Sequence, residues 1–357
     1  MITLADEVQV PDRPDVPGLR FRSFRGAADY PGMTVANQAT RDAAGIEEIV
    51  TLEGMANTYE HLVNSDPEQD VLIVERAARI IGYARCEWRD LTAGGRTFVS
   101  ICLVHPDERR QGIGRAMLGW CEARLAAKAA ALPDRATVPA TMQAFAPGAE
   151  AGAVALLEQS GWTRTGHGYE MVRPTLDEIP EVPMPEGLVV RPISMDTALL
   201  RRVWDAAADA FRDHRSEAEW TEEDWGYFIG DQAKDPSLWV VAFDGDEIAG
   251  AVLGKIDPAE NAHHGRERGI ADSVFTRRAW RRRGLARALL ARCLVRLRDH
   301  GMTSAYLGVD GLNPNQAMTL YSSLGFDVAS MSIDFSKPLP DWTGVPALAV
   351  PAAAEAP

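Results

Sequence analysis

Residues Val274 to Leu297 read V-F-T-R-R-A-W-R-R-R-G-L-A-R-A-L-L-A-R-C-L-V-R-L. A short apolar run ends in an arginine-rich turn. From Gly284 onward the apolar residues Leu285, Leu289, Leu290, Cys293, Leu294 and Leu297 fall on one face of a helix. The spacing predicts strand, loop and helix in succession, and that junction attracts anions. The first turn of a helix carries backbone N–H groups with no intrahelical partner, and the helix dipole adds partial positive charge there. Gly284 lets a bulky group approach the main chain, and Ala286 keeps the next position small. Arg281, Arg282, Arg283 and Arg287 surround the spot with positive charge. A phosphate or pyrophosphate is the expected occupant.

The chain carries this arrangement twice. Arg109-Arg110-Gln111-Gly112-Ile113-Gly114-Arg115-Ala116 follows the apolar run Ile101-Cys102-Leu103-Val104 and leads a second helical pattern through Met117, Trp120 and Leu125. A lone glycine-rich turn is weak evidence, but two in one register, each between strand and helix, are not. Other positions repeat as well: Asp66-Pro67 with Asp235-Pro236, Gly82 with Gly250, Gly161-Trp162 with Gly325-Phe326.

A chain of 357 residues has room for two or three domains. Its hydrophobic content of 46% and charged content of 25% are ordinary for a globular protein. A net charge of −14 argues against nucleic-acid binding through the basic stretch Arg277 to Arg298. Cys86, Cys102, Cys121 and Cys293 lack metal-ligand spacing and read as buried free thiols. The opening M-I-T-L-A-D-E-V has neither a basic nor an apolar leader pattern, and no run could span a bilayer. A reducing cytoplasm is the expected compartment, and no metal is expected.

Strand and helix patterns divide the chain into residues 1–173, a proline-rich acidic linker 174–187, residues 188–336, and a weakly patterned tail 337–357. His263-His264 reads as part of a polar loop.

With R-x-x-G-x-G at Arg109 to Gly114, R-x-x-G-x-A at Arg281 to Ala286, and N-P-N-Q-A-M-T-L-Y-S-S-L-G-F at Asn313 to Phe326, each half resembles the GNAT N-acetyltransferase superfamily. Two such halves look like the tandem arrangement of the mycothiol synthase group of actinobacterial acetyltransferases. The resemblance implies an α/β fold with a mixed sheet, built as two consecutive acyl-CoA N-acyltransferase domains. It implies acetyl-CoA as donor, its pyrophosphate on the amides of Arg282, Arg283, Gly284, Leu285, Ala286 and Arg287. The matching amides in the first half belong to Arg110, Gln111, Gly112, Ile113, Gly114 and Arg115. The pantetheine arm would lie along Val274, Phe275 and Thr276, and along Cys102, Leu103 and Val104. Asn313 and Asn315 are expected to contact the cofactor.

The implied reaction is attack of a neutral amine on a thioester carbonyl, with a backbone N–H at the oxyanion and an acid near the departing thiolate. The resemblance places that acid at Tyr321, four residues before Gly325. The same count back from Gly161 reaches Leu157, which has no hydroxyl, so the first half is expected to keep a CoA loop without this chemistry. Asp272 lies two residues from where the resemblance places a base-supplying carboxylate, and residues two apart on a strand share a face, so it is a candidate base. Asp213-His214 could lie near the acceptor's entry. The expected acceptor is a small-molecule amine, and the protein a monomer or homodimer. Acyl-CoA sensing without transfer, and acetylation of protein N-termini or lysines, are the competing readings.

Overall fold

The computed structural model describes residues 7–135, 137–214, 217–311 and 317–339. Along the chain run β1 (Leu19–Ser23), α1 (Tyr30–Ala44), α2 (Leu52–Glu60), α3 (Pro67–Asp70), β2 (Val71–Arg76), β3 (Arg79–Asp90) and β4 (Arg96–Val104). Then come α4 (Ile113–Ala131), β5 (Ala140–Pro147), α5 (Ala151–Gln159) and β6 (Thr163–Arg173). The order begins again with β7 (Val189–Arg191), α6 (Thr197–Phe211), α7 (Glu222–Gly230), β8 (Trp239–Asp244), β9 (Glu247–Ile256), α8 (Pro258–His264) and β10 (Arg268–Thr276). It closes with α9 (Leu285–Asp299), β11 (Ser304–Asp310), α10 (Ala317–Ser322) and β12 (Asp327–Lys337). The fold class is the expected mixed α/β one.

Local chemistry starts these elements where the sequence suggests. The Thr51 hydroxyl accepts from the Gly54 N–H at the head of α2, and the Asp196 carboxylate accepts from the Leu199 N–H at the head of α6. His263 and His264 form the last turn of α8, not a loop. Asp257 caps that helix and Asn261 ties it to β10, giving and accepting bonds with the Arg268 backbone.

The chain packs as two compact units that do not follow the sequence repeat. The first holds the described residues up to Gly166, Thr221–Gly230, and those from Ser332 on. Its strands run β1-β2-β3-β4-β5-β12. All neighbours are antiparallel except β4 and β5, and β12 joins β5 through Ser332 to Lys337. The Lys337 ammonium secures that strand to Glu122 on α4 and to the Ser160 carbonyl. Helix α7 also belongs here: Asn57 of α2 donates to the Tyr227 carbonyl, and Arg89 pairs with Asp224 at 2.6 Å.

The second unit holds His167–Trp220 and Asp231–Met331, with strands in the order β6-β11-β10-β9-β8-β7. Here β10 and β11 are the parallel pair, and β6 closes the sheet on β11 from Gly168 to Arg173. Its core gathers Leu289, Leu290, Leu294 and Leu297 of α9 with Val240, Val252, Leu307, Leu324 and Phe326. Burying one such leucine contributes about 1.5–3 kcal/mol. The proline-rich stretch after β6 is no free linker. Leu176 is 1% exposed and donates its N–H to the Thr303 carbonyl, and Ile179, Val182 and Met184 pack on the same core. The apolar residues spaced among its prolines and carboxylates dock it.

Candidate active site

Both glycine-rich turns adopt the same backbone. Arg110 and Arg282 take φ of 65° and 60°, Gly112 and Gly284 take 83° and 80°, and the glycine is the N-cap in each case. No side chain caps either helix, so the first-turn N–H groups remain available. A non-glycine residue held left-handed is strained, and such strain is typical of a preorganised binding loop. The residues around each loop differ. A carbon of Pro14 lies 3.3 Å from where a Cβ on Gly112 would sit, and one of Pro11 lies 3.7 Å from the same point on Gly119. Nothing comes within 4 Å of the corresponding point on Gly284. The segment before β1 thus lies along the first loop, while no described residue packs on Gly284.

The first arginine of each motif is bonded to protein groups. Arg281 gives its Nε to the Thr276 carbonyl at 3.0 Å, one Nη to the Ala210 carbonyl at 2.8 Å and the other to Asp213 at 2.5 Å. Arg109 repeats this with the Val104 carbonyl at 3.3 Å and both oxygens of Glu150. Each guanidinium buckles its loop back onto the end of the strand before it. Arg282, Arg283 and Arg287 are exposed around the second loop, as are Arg110 and Arg115 around the first. Leu285 and Ile113 are buried, so only their main chain can meet a ligand. Gln111 is held by Glu108, and the side of Gly114 faces Leu156.

Each loop follows a strand that parts from its parallel neighbour. β10 pairs with β11 only from Arg268 to Ile270, which leaves Val274, Phe275 and Thr276 without a partner on that side. β4 pairs with β5 only from Arg96 to Val99, which leaves Cys102, Leu103 and Val104 likewise open. On its other edge β10 contacts β9 closely. A Cβ on Gly250 would sit 2.6 Å from the Phe275 carbonyl, and the equivalent Gly82 would meet the Leu103 carbonyl at 2.5 Å. At the end of the open edge the Thr276 hydroxyl is buried without a partner among the described residues. The strand leading into each loop differs at one point. The β9–β10 ladder slips between Ala271 and Val274, whereas β3 and β4 pair without interruption. Such a bulge re-aims the strand's groups beside a cleft.

Tyr321 lies on α10 and is 6% exposed, its ring edge-on to Phe326 at 6.3 Å. Burial pushes its phenol up to about 12. Among the described residues its hydroxyl has no hydrogen-bond partner. The buried guanidinium of Arg173 donates to the carbonyls of Leu324, Thr175 and Glu178, so it holds the chain just past the tyrosine's helix. Sequence reading missed Arg173, because it closes the first repeat in the sequence while its strand serves the second unit. Leu157, in the place of Tyr321 within the first unit, is a buried apolar residue.

Asp272 falls in the bulge and is exposed; its charge, after that of Asp231, helps hold the half-buried Lys255 ammonium above its ordinary value against burial. Asp213 and His214 both have partners within the second unit. The Asp213 carboxylate lies below its usual range because Arg278, and then Arg281, hydrogen-bond it, and the His214 ring packs edge-on to Phe211. Asn313 and Asn315 lie outside the described residues. Among the described residues no cluster of His, Cys, Asp or Glu could hold a metal, and no helix is long and apolar enough to cross a membrane.

Comparison with known proteins gives a consistent set of likenesses. A family model described as Acetyltransferase (GNAT) family matches residues 39–141 and 200–326. The chain is 32% identical over 276 residues to a mycothiol acetyltransferase of Salinispora arenicola, covering 72% of this chain and 78% of that protein. It is 31% identical over 265 residues to that of Thermomonospora curvata, covering 73% and 80%. A GCN5-related N-acetyltransferase from Sphaerobacter thermophilus superposes with a TM-score of 0.67 at 25% identity, over 93% of this chain and 97% of that one. A tandem GNAT protein from the clavulanic acid biosynthesis pathway shares the fold, with a TM-score of 0.62 at 16% identity, over 89% of this chain and 98% of that one.

Proposed function

Because this chain belongs to the GNAT acetyltransferase family, we propose that it transfers an acetyl group from acetyl-CoA to a primary amine of a small molecule, with the chemistry in the second unit. Acetyl-CoA supplies the activated thioester. The features that suit it are a glycine turn with uncapped N–H groups, an empty approach at Gly284, and an orphaned hydroxyl at the end of an open strand edge. The amides from Arg282 to Arg287 would hold the pyrophosphate, with Arg282, Arg283 and Arg287 adding charge. The edge at Val274 to Thr276 would bind the pantetheine arm. Asp272 would accept the proton of the incoming amine, directly or through water.

Tyr321 would meet the departing sulfur. A phenol at about 12 is a donor at every physiological pH. Complete transfer to a thiolate of ordinary pKa, roughly 8.5, would cost about 5 kcal/mol at 1.36 kcal/mol per unit. The phenol therefore stabilises the sulfur first by a hydrogen bond, and the proton passes only as the sulfur gains basicity inside the protein.

The observation that carries this reading is the contrast between units: a buried phenol in one, Leu157 in the other. The test is a panel of amines scored by acetyl-CoA-dependent release of free thiol, on the wild type and Tyr321→Phe. Mycothiol-type amines head the panel in view of the relatives, with polyamines, aminoglycosides and peptide N-termini beside them. Transfer that needs the Tyr321 oxygen supports the proposal. CoA binding with no transfer to any amine would instead favour a sensor.

A further inference from the structure

Three of the four cysteines converge in the first unit, although nothing in their sequence spacing announces it. In the β3–β4 ladder Ala84 stands opposite Cys102 and Cys86 opposite Ser100. Cys86 and Cys102 therefore lie diagonally on one face of the sheet. Cys121 of α4 reaches toward the same face. Its sulfur lies 3.5 Å from that of Cys102, while the Cys86 thiol points to the Cys121 carbonyl at 3.9 Å.

The three are not equivalent. Cys86 and Cys121 are 0% exposed. Cys102 is half-buried and lies on the part of β4 that has lost β5, so a small reagent can reach it through the opened edge. Geometry also selects the partner. Diagonal residues on antiparallel neighbours are about 7–8 Å apart, whereas a disulfide needs Cβ atoms about 3.5–4.5 Å apart. That disfavours Cys86 with Cys102. The Cys102 and Cys121 sulfurs already touch, and closing to a bond of about 2.05 Å is a movement of roughly 1.5 Å. Rotation about the two side-chain torsions can supply this without moving the backbone far.

We propose that Cys102 and Cys121 form an oxidation site, with Cys102 meeting a peroxide and Cys121 resolving it to an intramolecular disulfide. The Cys102 sulfur attacks one peroxide oxygen, the O–O bond breaks, and water leaves as Cys102 becomes a sulfenic acid. The Cys121 sulfur then attacks the Cys102 sulfur, the S–O bond breaks, and a second water leaves with the Cys121 proton. Two thiols and one hydrogen peroxide give one disulfide and two waters. The bond ties the free edge of β4 to α4, the helix that the first glycine loop begins.

The experiment treats the full-length folded protein with hydrogen peroxide, then counts thiols after denaturation and maps linked peptides by mass spectrometry. The expected result is a fall from four thiols to two, with a Cys102–Cys121 linked peptide that disappears on reduction. Cys86→Ala and Cys293→Ala should keep the link. In Cys121→Ser, Cys102 should stop at a sulfenic acid that dimedone captures. Retention of four thiols in wild-type protein under peroxide excess overturns the proposal. So does a link made through Cys86, through Cys293 or between two chains.

Discussion

Tyr321→Phe separates chemistry from packing. The substitution keeps the ring against Phe326 and removes an oxygen with no partner among the described residues, so stability at neutral pH should stay within about 0.5 kcal/mol. A hydrogen bond to a charged group is worth about 1.5–3 kcal/mol, which is roughly tenfold to 150-fold in rate. If the proton also moves, the loss grows toward the roughly 10²–10⁴-fold range of general acid catalysis. The turnover number should therefore fall at least about tenfold, while the acetyl-CoA KM stays put, because the phenol acts on developing charge rather than on the bound ground state. The assay is initial-rate thiol release at saturating amine, paired with urea unfolding. The same residue has a signature in alkali. Its pKa is raised from 10 to about 12 in the folded chain, so the folded state keeps a proton that the unfolded state has lost between those values. Stability from Tyr321 is intact below pH 10 and falls by about 1.4 kcal/mol per unit up to 12, about 3 kcal/mol in all. Wild type and variant should differ by that slope and only in that window. A variant that turns over as fast as wild type refutes the catalytic role, whatever the alkaline curve shows.

Other substitutions test the surroundings. Gly284→Val forces a β-branched residue to φ near 80°, costing at least about 1–2 kcal/mol, and should weaken CoA binding in calorimetry more than Gly112→Val does. Asp213→Asn frees Arg281 and Arg278 and should weaken CoA binding. Because Asp213 is depressed by those partners, its contribution to stability is present above the usual carboxylate range and lost below it. The variant should therefore show a shallower acid limb in pH-dependent unfolding. Arg173→Leu leaves buried carbonyls unsatisfied, at about 1–3 kcal/mol, and should lower turnover with the cofactor KM unchanged. Leu324→Ala, at a fully buried site, should cost about 2–5 kcal/mol in urea unfolding.

What the sequence made legible is what local rules govern. Glycine turns between strand and helix and the apolar face of α9 both follow from residues near each other in the chain. The destinations of the motif arginines were not legible. Arg281 finds Asp213 and Ala210, some seventy residues upstream, and no spacing rule distinguishes a guanidinium that braces a loop from one that faces a phosphate. The linker's docking was hidden because proline and acid dominate its composition, while the few apolar residues among them decide its fate. The partners of β6 and β12 were hidden for a deeper reason. Both strands alternate in a way that suits the open side of either sheet, so neither pattern says which sheet it joins.

The traded strands bear on synthesis and dissection. A ribosome that has released residues up to 173 has made every piece of the first sheet except β12, which emerges last. Until then β5 presents a row of unsatisfied amides and carbonyls, the kind of edge that recruits other chains. A gene cut in the proline-rich stretch would yield two halves that each lack their closing strand and carry the other's. Mixed together, they would have to assemble as a complementing pair; expressed singly, each would tend to aggregate.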